Sequence, residues 1–162
     1  MPHYGATVTL HLVRHAHAGD RTPWGSGDDL ERPLTPTGHE QAAAIDRWFA
    51  ERSVRAVWSS RAVRCAQTVT PLAQRLGLEI ELRDELTEGA RPAVLLELLR
   101  AQALHDGDLV LCSHGDLIPE VLDPLLREGM VIIGGRGCEK GSIWSLEARG
   151  RDIVSGTYTA RP

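Results

Sequence analysis

Lysine is almost missing from this chain. Of its eighteen basic residues only Lys140 is a lysine, and the rest are arginines. The chain also lacks any cationic excess, because its formal net charge is −4. That balance gives no general attraction to a nucleic-acid polymer or an anionic membrane, so any bound anion needs a local cluster of cations. Long apolar runs are absent too, which argues against a membrane span. The opening residues MPHYGATVTL have no basic segment followed by an apolar one, so no signal peptide is expected and the expected location is cytoplasmic. Cys65, Cys112 and Cys138 are odd in number and scattered, without C-x-x-C spacing. This excludes a disulfide framework and a thiolate zinc site. Internal repeats and low-complexity segments are also missing.

What is present reads as one globular domain over residues 1–162. Ala6–Val13 alternates and is rich in β-branched residues, as a strand requires. A Gly/Pro/Asp loop follows, then a helix over Gly38–Arg52 with Thr35 or Thr37 to cap it. Val54–Ser60 reads as a second strand. Arg61–Leu76 has helical spacing, with Pro71 expected to kink or split it and Gly77 to end it. A third strand falls in LEIEL, and a helix over Arg91–Leu104 has Pro92 in its first turn. Asp108–Ser113 reads as a buried strand and Asp116–Gly129 as a helix bent by Pro124. SIWSLEA and DIVSGTY pair as a hairpin across Arg149-Gly150-Arg151. Such alternation predicts an α/β three-layer sandwich, its central sheet mostly parallel with helices on both faces.

In such sheets ligands bind beyond the carboxyl ends of the strands. Three strand ends carry similar polar residues: Arg14-His15, Ser59-Ser60 leading to Arg64, and Ser113-His114-Gly115. The architecture would bring them to one edge. Two arginines and two histidines there form a pocket for a phosphoryl dianion, with helix N-termini after Ser60 and Gly115 adding backbone donors. A neutral imidazole is a competent nucleophile toward phosphorus, and the cations would stabilise the transition state without a metal. His17 is open to three readings. H-x-H spacing on an extended segment puts both rings on one face, as a metal would need, but no cluster supplies the other ligands. His17 could instead face substrate at the pocket rim, or serve as a solvated or capping residue. Arg21, Arg32 and Lys140 are further rim candidates, and Trp24 in its polar loop could present a face to a base or a protein.

The motifs LVRHAHA, RPLTPTGHEQA, SSRAVRCAQT and VLCSHGD together resemble the histidine phosphatase superfamily, the phosphoglycerate-mutase-like fold, with Ala16 where glycine is usual. The resemblance implies that His15 becomes phosphohistidine and that Arg14, Arg64 and His114 hold the phosphoryl group. It also implies a glutamate proton donor in an L-x-E segment, here Glu88, with Glu85 as the second choice. The short chain is most similar to the small SixA-type phosphohistidine phosphatases, although those tend to lack that glutamate. It also lacks the lid insertion that a mutase would use. VRHAHAGDR, WGSGDDLERPLT, CSHGDLIPEVL and EKGSIWSLE look still more like the domain that some actinobacterial Nudix hydrolases carry at their C-terminus, yet no Nudix box is present. The expected activity is hydrolysis of a phosphomonoester or phosphohistidine, with no cofactor and no metal. The substrate would be a phosphorylated small molecule, a nucleotide or a phosphohistidine protein. The alternative is a non-catalytic phosphate, phosphohistidine or nucleotide-binding module beside a Nudix-type partner.

Overall fold

The computed structural model describes residues 7–20 and 28–162. Arg21 and Trp24, singled out above, lie outside the described residues. Seven strands form one sheet in the order β3-β2-β4-β1-β6-β7-β5. They are β1 Val8–Arg14, β2 Val54–Ser59, β3 Ile80–Leu82, β4 Asp108–Ser113, β5 Val131–Ile133, β6 Ile143–Arg149 and β7 Asp152–Thr159. Among the described residues four α-helices accompany them: α1 Pro36–Trp48, α2 Val63–Leu76, α3 Pro92–Gln102 and α4 Leu117–Arg127. Only β6 opposes the general strand direction, pairing antiparallel with both β1 and β7. The sheet is therefore mostly parallel, as the alternation of elements predicts.

Helices cover both faces because the strands are apolar on both sides. Leu10, Leu12, Leu109 and Leu111 face Leu95 and Leu99 of α3 and Val121 of α4. Val13, Val57, Val110 and Cys112 face Ile45 of α1 and Val69 and Leu72 of α2. Among the described residues no helix is long and apolar enough to cross a membrane.

Local chemistry sets the boundaries. The Thr35 hydroxyl caps α1 by accepting from the Gly38 N–H at 3.2 Å, and Pro36 stands at the first position, two residues earlier than periodicity suggests. Gly77 ends α2 in the left-handed region, at φ 66°. Pro71 does not split α2, which runs unbroken to Leu76. Val69, Leu72 and Ala73 around it are buried, and that packing holds the helix together against a local cost of ~3 kcal/mol. Strand β5 has no counterpart in the sequence reading. Its three residues pair with β7 at the sheet edge, too few to show a period.

Candidate active site

The sheet register places the two histidines. β1 and β4 are parallel neighbours with Arg14 opposite Ser113, so His15 and His114 leave adjacent strands at the same level. Their ring centroids are 5.5 Å apart, at an interplanar angle of 63°. β2 lies on the far side of β4, with Ser59 opposite Cys112, and delivers α2 and its Arg64 to the same edge. The result is a cleft of about 260 Å³ lined by Arg14, His15, Arg64, Glu88, His114 and Lys140, among others.

His15 is only 6% exposed. Its Nδ1 lies 2.8 Å from the Ala16 carbonyl oxygen, which can only accept. Nδ1 therefore carries the proton and Nε2 keeps its lone pair. Burial lowers the His15 pKa most, and Arg64, His114 and Arg14 add to the effect against the Ala16 hydrogen bond, which brings it to about 3. The imidazole is neutral at neutral pH. Ala16 is fully buried, and no non-glycine residue among those described has positive φ. Alanine is therefore accommodated here without backbone strain.

Arg64 is 1% exposed. Its Nη1 donates to the Asp29 carbonyl at 2.8 Å, and its Nη2 meets the carboxylates of Asp29 at 3.2 Å and Glu88 at 3.3 Å. The same nitrogen is 3.5 Å from His114 Nδ1. Arginine only donates, so His114 accepts there and its Nε2 donates to Ser60 Oγ at 2.9 Å. Arg14 donates through Nη1 to the Cys138 carbonyl. The Nε atoms of both Arg14 and Arg64 are buried with no protein acceptor among the described residues. A buried guanidinium N–H left this way is costly unless an anion meets it.

Gly115 explains the glycine after His114. A Cβ there would sit 2.6 Å from the Arg14 guanidinium. Gly38 has a parallel role in the second motif, since a Cβ there would fall 2.0 Å from the His17 carbonyl oxygen. The other polar motif residues hold backbone rather than line the cleft. Gln41 Oε1 accepts from the His17 N–H, Gln67 Oε1 from the Leu34 N–H and Thr68 Oγ1 from the Ala16 N–H, all within 2.9 Å.

Glu88 reaches the cleft on a loop anchored to β4 and α4. The Ser113 hydroxyl donates to the Leu86 carbonyl at 2.7 Å, and the Gly89 N–H donates to Asp116 at 2.8 Å. Glu85 turns away and pairs with Arg83 at 3.0 Å. His17 is not among the residues lining the cleft, and its Nδ1 bonds to Thr35 Oγ1 at 2.7 Å. The same-face rule for H-x-H needs extended backbone, and β1 ends at Arg14. Arg32 does line the cleft, but its donors go to Asp29 and to the Ala18 and Gly19 carbonyls. Lys140 also lines the cleft. Among the described residues no group of three or more His, Cys, Asp or Glu side chains could hold a metal ion.

Two contributors were not picked out from sequence. Asp29 bridges Arg32 and Arg64, and its only signal is a place in the loop before RPLT. Cys65 lies beneath the site, its Sγ 3.6 Å from His114 Nε2, and reads in sequence as one more apolar helix position.

The carboxyl edge of the α/β sheet thus carries a cleft in which two arginines and two histidines meet. The chain belongs to the histidine phosphatase superfamily (branch 1), whose family pattern matches residues 10–92. It is 33% identical over 159 residues to an 8-oxo-(d)GTP phosphatase of Mycolicibacterium smegmatis, covering 96% of this chain and 49% of that protein. The chain thus spans about half the length of that relative. Among solved structures it is similar to a Nakamurella multipartitia protein bearing the name phosphohistidine phosphatase SixA. That likeness has 25% identity and a TM-score of 0.72, covering 96% of this chain and 95% of the other. A protein histidine phosphatase SixA complexed with tungstate shares the fold, with 20% identity, a TM-score of 0.73 and coverage of 93% and 94%.

Proposed function

We propose that this chain hydrolyses a phosphomonoester or phosphohistidine through a covalent phosphohistidine on His15, without a metal. The observation that carries this is the His15 Nδ1 bond to the Ala16 carbonyl, which leaves Nε2 as a neutral nucleophile between two arginines. In the first step Nε2 forms a bond to phosphorus as the bond to the leaving group breaks. The guanidinium groups of Arg14 and Arg64, which line the cleft with His114, take phosphoryl oxygens and stabilise the charge gathered there. Glu88 is the group that protonates a poor leaving group such as an alkoxide. In the second step water attacks phosphorus and gives a proton to the Glu88 carboxylate left by the first step, the P–N bond breaks, and phosphate and the original imidazole are released.

A nucleotide substrate is the second reading. Its support is the similarity, over nearly the whole of this chain, to half of an 8-oxo-(d)GTP phosphatase. A module that binds nucleotide without turnover, beside a Nudix-type partner, is the non-catalytic form of this reading.

The test is phosphate release from p-nitrophenyl phosphate, nucleotides, sugar phosphates and a phosphohistidine protein, with His15→Ala as the blank. Turnover, an acid-labile label on the wild type, no label on His15→Ala and insensitivity to EDTA are expected. Full activity in His15→Ala would sink the mechanism. Vanadate binding with no turnover of any substrate would favour the binding module.

A further inference from the structure

The turn Cys138–Ser142 is fastened to the nucleophile's own backbone. The Gly141 N–H donates to the carbonyls of Arg14 and His15, at 3.1 Å each, and the Arg14 N–H donates to the Ser142 carbonyl at 3.0 Å. Gly141 makes the turn at φ 77°, a conformation that costs glycine nothing. Tyr158 holds the other side, its hydroxyl accepting from the Glu139 N–H at 2.9 Å. At the apex stands Lys140, the one lysine of the chain.

Lys140 differs from the other cations of the cleft. Arg14, Arg32 and Arg64 each have protein acceptors. Lys140 has no hydrogen bond or ion pair to any described residue. It also belongs to two cavities. One is the cleft of His15, and the other is a neighbouring cavity of about 360 Å³ that runs past Gln41 and Gly141 to Arg161. Arg161, at the far wall, is 3.7 Å from Glu139. A fixed turn thus places Lys140 in the lining of both cavities, without a partner among the described residues.

We propose that Lys140 binds a second anionic group on the substrate, next to the phosphoryl group that meets His15. The chain would then favour diphosphate-type substrates over simple monoesters. This rests on the phosphatase reading above and names the class of substrate for the same site. Arg14 and Arg64 line the cleft with His15 and supply its positive charge for the transferred phosphoryl. Lys140 offers a compact charge on a flexible stem, which tolerates variation in where the second group falls.

Calorimetric titration with inorganic pyrophosphate and orthophosphate tests this without needing turnover. Wild-type protein is expected to bind pyrophosphate about tenfold more tightly, the effect of one charge-assisted contact. Lys140→Met should bring that ratio close to one, and Lys140→Arg should restore part of it. Equal binding in the wild type, or an unchanged ratio in Lys140→Met, overturns the proposal. Turnover of p-nitrophenyl phosphate, lost in His15→Ala, is scored separately. Its absence sinks the hydrolytic reading and leaves the calorimetric ratio to decide on Lys140.

Discussion

Asp29 grips Arg64 twice, taking Nη1 on its backbone carbonyl and Nη2 on its carboxylate. The same carboxylate holds Arg32, which fixes the Ala18 and Gly19 carbonyls of the loop after His15. One side chain therefore sets the position of Arg64 and the path of the loop after His15. Asp29→Asn keeps the shape and removes the charge. Affinity for orthophosphate or vanadate is expected to fall about tenfold, in line with one lost charge-assisted bond. Titration of the two proteins compares them directly, and equal affinities would remove Asp29 from the site.

Gly115→Ala probes Arg14 without touching its chemistry. The added Cβ would sit 2.6 Å from the guanidinium, which must move away from the Cys138 carbonyl that now holds it. A displaced oxyanion donor costs about 100-fold in kcat. The folded state loses little, because the guanidinium is the flexible end of its side chain. Steady-state kinetics beside thermal melting distinguishes this from simple unfolding. A variant with normal turnover would show that Arg14 needs no such placement.

His17 and Gly38 separate support from catalysis. Gly38→Ala meets a backbone oxygen at 2.0 Å, and that backbone is tied to Thr35 and Gln41. It should lower stability by about 2 kcal/mol or more, the range for overpacking. His17→Ala removes only the ring bond to Thr35 and should cost about 1 kcal/mol. Urea unfolding of both variants is the measurement. A large change of KM toward small phosphate esters in His17→Ala, with stability intact, would restore His17 to the rim.

Acid should weaken the fold through His15. Its pKa falls from an ordinary value near 6.5 to about 3 on folding, mainly because it is buried. Between those values the unfolded chain binds the proton and the folded chain does not, so stability drops as pH falls. The stabilisation is complete above 6.5 and is lost progressively toward 3. His11, which burial also shifts downward, acts in the same direction. Urea midpoints at pH 7.5 and pH 5.0 are expected to differ less in His15→Gln than in the wild type. Identical pH slopes would mean that His15 is not held neutral by burial.

The fold was legible because its signals are local and repeated. Each strand end with chemistry also ends a run of buried residues, as with Val13 before Arg14 and Cys112 before Ser113. Arg14, His15, Arg64 and His114 could therefore be named from strand ends and motifs alone, and the structure gathers them at one cleft. Asp29 could not. Its loop has no period, and its value lies in Arg64, thirty-five residues further on. Pro71 is the opposite case, since of the kink or split it predicts the split does not occur. Local chemistry predicts a break, and the packing of Val69 and Leu72 on the sheet overrides it. His17 shows the reach of a strand-based rule, which no longer holds three residues after the strand stops.

The spacing of His15 and His114 comes from the sheet. They follow β1 and β4, paired from Leu10 with Leu109 up to Arg14 with Ser113, and neighbouring strands stand roughly 4.8 Å apart by hydrogen bonding. The separation of the two rings is thus a lattice constant of the backbone rather than a setting of the loops. Insertions, deletions or grafts in the segments around the cleft would change what enters it and leave the two histidines in step. For redesign, the loop that carries Glu88 and the turn that carries Lys140 are the parts to exchange, and the pitch between β1 and β4 is the part to keep.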